Sequence, residues 1–150
     1  MRLASLVLGL LASLLLSPAA DAASAKDIFE KHGLFGTWAS DCTRPMGPRN
    51  PYVVYYPFAG DSVRREVFIE PGRPFDVSIP WSAVESAADE LIVSWQTGEG
   101  GIVNRIRLRP DEMQVIDSTR QNGEKLTVDG RGVRDNTESP RYRRCSRPTV

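Results

Sequence analysis

Beyond residue 34 the chain alternates apolar and polar positions with a period of two, interrupted at short intervals by Gly, Pro, Asn and Asp, which is the signature of successive half-buried strands. The first strand is expected at 34–42. Residues 43–51 contain Pro45, Gly47, Pro48, Asn50 and Pro51 and read as a loop. In 52–58 the period places Tyr52, Val54, Tyr56 and Phe58 on one face, while Pro57 lacks a backbone donor and marks a strand end or bulge. Segment 62–70 alternates Val63, Arg65, Val67 and Ile69 against Arg64, Glu66, Phe68 and Glu70, the second set being the expected outer face. After the turn Pro71-Gly72-Arg73-Pro74, residues Phe75, Val77, Ile79, Trp81 and Ala83 form the expected inner face of a fourth strand, broken or bulged at Pro80. Strands 90–96, 102–109, 112–119 and 125–129 follow.

Ser24, with Asp27 three positions later and Gly33 beyond, predicts a short capped helix over 25–32 that lays Ile28 and Phe29 across one end of the sheet. His32 falls in its last turn, where the helix dipole favours positive charge, so a structural role is expected for it. The connections between later strands, such as 98–101, 110–111 and 121–123, have hairpin length and exclude the long crossovers of parallel pairing. The expected fold is all-β: an eight-stranded antiparallel meander barrel over residues 34–130, preceded by a short helix. A two-sheet β-sandwich is the structural alternative, because periodicity does not separate the two. An eight-stranded barrel is filled with side chains or holds one small ligand.

The N-terminus changes the compartment. Met1-Arg2, an apolar run at 3–16 and the small residues Ala20-Asp21-Ala22 have the form of a cleaved signal peptide over 1–22, too short to span a membrane, which takes about 20 apolar residues. Residues 23–150 would then be one domain, periplasmic or secreted, with no membrane insertion. In an oxidising compartment Cys42 and Cys145, the only cysteines, are expected to pair. Two cysteines and the lone His32 do not make a zinc set, so neither a metal nor another cofactor is expected. The 19 basic and 19 acidic residues leave no net charge, which argues against nucleic acid as a partner. Arg131, Arg134, Arg141, Arg143, Arg144 and Arg147 nevertheless crowd the C-terminus and are expected to form an irregular, solvated basic tail.

Gly36-Thr37-Trp38 resembles the Gly-x-Trp signature on the first strand of lipocalin-like barrels, the calycin group, in which a short helix also precedes that strand. The resemblance implies a Trp inside the closed end, packed under an Arg from near the last strand, here Arg131 or Arg134. The wider pattern, Gly36-Thr37-Trp38-Ala39 with Asp41-Cys42, then Asn50 to Tyr55, then Arg144-Cys145, is similar to a group of small exported bacterial proteins of unknown function. The chain also resembles small periplasmic inhibitors of secreted metalloproteases, whose disulfide closes a short loop where Cys42 and Cys145 span nearly the whole domain.

Candidate chemistry is sparse. Arg105, Arg107 and Arg109 share one face, read first as a solvated exterior and second as an anion-binding wall with Arg65. With no second histidine or other base near a serine, a nucleophilic enzyme is not expected. The expected function is an exported small-molecule binding barrel for an apolar or anionic ligand, lined by the aromatics Tyr56, Trp81 and Trp95 with Arg65 and Arg107 as polar contacts. The alternative is a protein-binding module, or an inhibitor of an exported enzyme, that meets an exported partner through loop 43–51 and the basic tail.

Overall fold

A computed structural model describes residues 23–145; the expected signal peptide at 1–22 and residues 146–150, with Arg147, lie outside them. The helix α1 (Ala25–Lys31) starts as its capping residues dictate: Asp27 N–H donates to Ser24 Oγ, and the Ser24 backbone N–H donates back to Asp27 Oδ2, each at 3.1 Å. Gly33, at a φ of 61°, ends it, with Leu34 N–H returning to the Phe29 carbonyl. This geometry turns Ile28 and Phe29 inward, where both are buried.

The strands are β1 (Gly36–Ala39), β2 (Tyr52–Phe58), β3 (Ser62–Phe68), β4 (Asp76–Ala87), β5 (Glu90–Thr97), β6 (Gly100–Arg109), β7 (Glu112–Arg120), β8 (Lys125–Val128), β9 (Arg131–Gly132) and β10 (Arg141–Arg144). From β1 to β7 each pairs antiparallel with the next. The ring closes through β10, which pairs with β7 at Arg141↔Gln114 and with β1 at Trp38↔Arg144. The fold is therefore a closed eight-stranded antiparallel barrel with one short helix, and closure rules out the sandwich alternative.

The closing strand differs from the expectation. Segment 125–129 was the expected eighth strand, but β8 pairs with β7 only at Ser118 and Thr119, and with β9 it forms a flap beside the ring. Short β8 leaves the first half of β7 unpaired, and the basic segment fills that edge. Its alternation explains why a run of arginines tolerates the position: Arg141 and Arg143 are exposed while Tyr142 between them packs against the core. The expected irregular tail thus contains a barrel strand up to Arg144. Cys145 N–H then donates to the Thr37 carbonyl at 2.8 Å, and its side chain is bonded to Cys42 across a sequence separation of 103 residues.

Strand β4 also departs from expectation. Asp76, Ser78 and Pro80 point inward, whereas Val77, Ile79 and Trp81 are exposed on the outer wall. A bulge between Pro80 and Ser82 then shifts the phase, so that Ala83 is buried as expected. The reversed phase has an electrostatic cause. Inward Arg65 on β3 stands opposite Ser78 and needs polar partners, which the alternative register would have replaced with Val77 and Ile79.

The main core, including Phe29, Leu34, Trp38, Val53, Tyr55, Leu91 and Val93, fills the helix-capped half of the barrel. Trp38 donates Nε1–H to the Leu34 carbonyl, and the Arg144 guanidinium lies 5.7 Å from its ring centroid while donating to the Phe35 carbonyl. Arg144, rather than Arg131 or Arg134, is the arginine over this tryptophan. Ala39, Tyr52 and Phe68 form a second cluster on the opposite face of β1–β3, with the disulfide and Met46. Loop 43–51 is tied down there: Tyr52 Oη donates to the Arg44 carbonyl, and buried Asn50 donates to the Asp41 carbonyl. No described helix is long and apolar enough to cross a membrane.

Candidate ligand cavity at the open end

Successive hairpins of an antiparallel barrel alternate between its two ends. The β2–β3 turn, the β4–β5 hairpin and the β6–β7 hairpin lie at the end covered by α1, where Lys26 N–H donates to the Asp61 carbonyl and Lys31 and His32 contact Glu85. At the other end, the β3–β4 loop, the β5–β6 hairpin and the flap surround an open cavity of about 640 Å³. That volume lies within the range of about 300–1,000 Å³ found for small-molecule sites.

Each wall residue is there because of its strand position. Trp95 on β5 is buried and pairs with Ile102 on β6, so Ile102 and, two residues on, Asn104 face the same interior. Val115 and Ser118 come from β7, Leu126 and Thr127 from the flap, and Tyr142 from β10. Phe75, 72% exposed, stands at the rim.

The floor is an arginine on a tryptophan. The Arg65 guanidinium lies 5.7 Å from the Trp95 ring centroid, and the same ring packs against Tyr55, tilted at 5.9 Å, and against Phe29, edge-on at 6.0 Å. Arg65 Nη1 donates to Asp76 Oδ2 at 2.7 Å and to Ser78 Oγ at 2.9 Å. The Asp76 carboxylate therefore neutralises the Arg65 guanidinium. Burial pushes the Tyr55 hydroxyl above its ordinary pKa of 10.0, with the neighbouring Arg65 charge opposing the shift, and the Tyr142 hydroxyl is raised by burial in the same way. Both phenols are neutral at physiological pH.

Two buried polar atoms in this wall have no hydrogen-bond partner among the described residues: Trp95 Nε1, a donor, and Asn104 Oδ1, an acceptor. Orphans of this kind are uncommon in folded proteins, and each destabilises the protein that holds it.

Of the five residues expected to line the site, the structure brings Arg65 and Trp95 together and separates the other three. Tyr56 is on the outer face of β2, opposite Tyr55, where burial and Glu66 raise its pKa. Trp81, half exposed, lies on the outer wall with its ring edge against Gly101, 2.5 Å from where a Cβ there would stand. Arg107 faces outward to Glu90 at 3.0 Å, as Arg105 does to Asp117 and Arg109 to Glu112. These arginines form a paired exterior and make no anion-binding wall. Asn104, Asp76 and Tyr142 are polar wall residues outside the expected set. Asn104 carried a signal, a polar residue at an inward position between Ile102 and Ile106.

Comparison of the chain with family models, with curated proteins and with solved structures yields no match in any of the three. The site's own geometry therefore carries the functional argument. His32, the single histidine, is at the far end of the barrel with its Nε2 2.6 Å from Glu85 Oε1. Among the described residues no group of three or more His, Cys, Asp or Glu side chains is placed to hold a metal ion.

Proposed function

We propose that this protein is an exported binding protein that carries a small molecule in the open half of its barrel, and that it is not an enzyme. The observation that supports this most is the division of the interior: the helix-capped half is filled by aromatic and aliphatic side chains, and the other half is a cavity of ligand size with an aromatic floor and orphaned polar atoms in its wall. Export is supported by the leader-like sequence at 1–22 and by the Cys42–Cys145 disulfide, a bond that persists in oxidising compartments.

Native mass spectrometry of the protein isolated from its own exported fraction tests this reading. A bound small molecule, released when the barrel unfolds, is the expected result. A stoichiometric protein in its place would favour the protein-binding alternative. If the chain arrives alone and no apolar ligand raises its melting temperature, the binding reading fails, because a ligand that prefers the folded state must stabilise it.

A further inference from the structure

The cavity's polar groups constrain the chemistry of its occupant. Arg65, the only cation in the wall among the described residues, is already engaged by Asp76 and Ser78 and stacked on Trp95. Glu99 at the rim, 3.2 Å from Arg120, brings a second carboxylate close to the opening. An anion seated here would gain no uncompensated positive charge and would stand beside Asp76, and a cation would have to displace Arg65 from its partners. Charge therefore selects a neutral ligand.

We propose, building on the binding-barrel reading, that the ligand is a neutral, mainly apolar molecule whose buried end both donates and accepts a hydrogen bond, as a primary amide or an alcohol does. Val67, Phe75, Ile102, Val115 and Leu126 surround an apolar body. The head group goes to Trp95 and Asn104, which are diagonal neighbours on β5 and β6 and within reach of each other's side chains. Trp95 Nε1 requires an acceptor and Asn104 Oδ1 a donor. Were the Asn104 carboxamide turned over, its free atom would be a donor, and a head group with both functions still satisfies it. Both atoms are shielded from water. The head group therefore reaches them only when the side chains that cover them, Arg65 over the Trp95 ring among them, turn aside. Filling such orphaned sites confers selectivity, because a ligand without the matching group leaves them unpaired.

The test uses a matched ten-carbon series, decanamide, decan-1-ol and decanoate, titrated below their aggregation thresholds at pH 8 into the wild-type protein and into W95F and N104L. W95F keeps a six-membered aromatic ring beside Tyr55 but removes the orphaned donor together with the pyrrole part of the buried indole, so its melting temperature should fall. The readout is the ratio of decanamide to decanoate affinity, which a general loss of packing would leave unchanged. Decanamide and decan-1-ol should bind at least about tenfold more tightly than decanoate, and each substitution should weaken decanamide by about fivefold to tenfold, the value of one hydrogen bond. Tightest binding by decanoate would overturn the neutral-ligand inference and leave the barrel reading standing. A preference for decanamide that survives both substitutions would overturn the assignment of the head-group site. Failure of all three compounds to bind or to raise the melting temperature would defeat the barrel reading itself.

Discussion

Trp81 and Trp95 show how little a residue's identity says about its role until its strand phase is known. Both are tryptophans in alternating strands; one is half exposed on the outer wall and the other is buried at the cavity floor. Trp95→Ala should cost about 3–5 kcal/mol in urea unfolding and abolish ligand binding, as loss of a large core side chain does. Trp81→Ala should cost about 1 kcal/mol and leave ligand affinity unchanged, and equal losses from the two substitutions would contradict the reversed phase of β4. Arg65→Ala strands the Asp76 carboxylate in a half-buried position and should cost about 1–3 kcal/mol, with Asp76→Asn partly restoring stability in the double variant. The sequence pattern identified β4 as a strand and Pro80 as its irregular point. The faces are reversed relative to the rule that apolar residues point inward, because the demand of one partly buried guanidinium for Asp76 and Ser78 outweighs that rule.

At the scale of elements, the strands of the meander were legible because each has a period-two pattern and hairpin-length neighbours. The closing strand was hidden by its composition: Arg141-Tyr142-Arg143-Arg144 looks like a solvated tail unless Tyr142 is weighed as an inward residue. Its attachment yields a prediction. Replacing Cys42 and Cys145 by Ser should lower the unfolding free energy by about 4–5 kcal/mol on the chain-entropy account of a loop of this length, and hydrogen exchange should show β10 released before β2–β6. At the other end, Lys31 and His32 tie α1 to Glu85 on β4, and their hydrogen bonds hold the Glu85 carboxyl below its ordinary value of 4.5. A carboxyl depressed in the folded state stabilises above its unfolded pKa, and that contribution disappears as pH falls through the folded value. The difference in melting temperature between wild type and E85Q should therefore be present at pH 6 and shrink as pH drops below 4.5.

For the whole molecule, the central feature is a closed barrel filled at one end and hollow at the other, with Tyr55 and Tyr142 raised by burial along the interior. Because their folded pKa values exceed the ordinary 10.0, the folded protein retains these protons longer than the unfolded chain, and stability should fall as pH rises above 10. Tyr55→Phe should lessen that alkaline loss in a melting series. The barrel class was readable from pattern and turn spacing, whereas the hollow half was not, since it depends on which side chains reach the axis at each level. The three tryptophans sample the three environments that matter: Trp38 at the closed end, Trp81 on the outer wall and Trp95 on the cavity floor. A titration of the ¹⁵N-labelled protein with decanamide, followed through the three indole N–H resonances, is the most direct test of the hollow, ligand-holding half. The account predicts a saturable downfield shift of the Trp95 indole as its donor gains an acceptor, with Trp38 and Trp81 unmoved; a shift confined to Trp81, or none at saturating ligand, would contradict it.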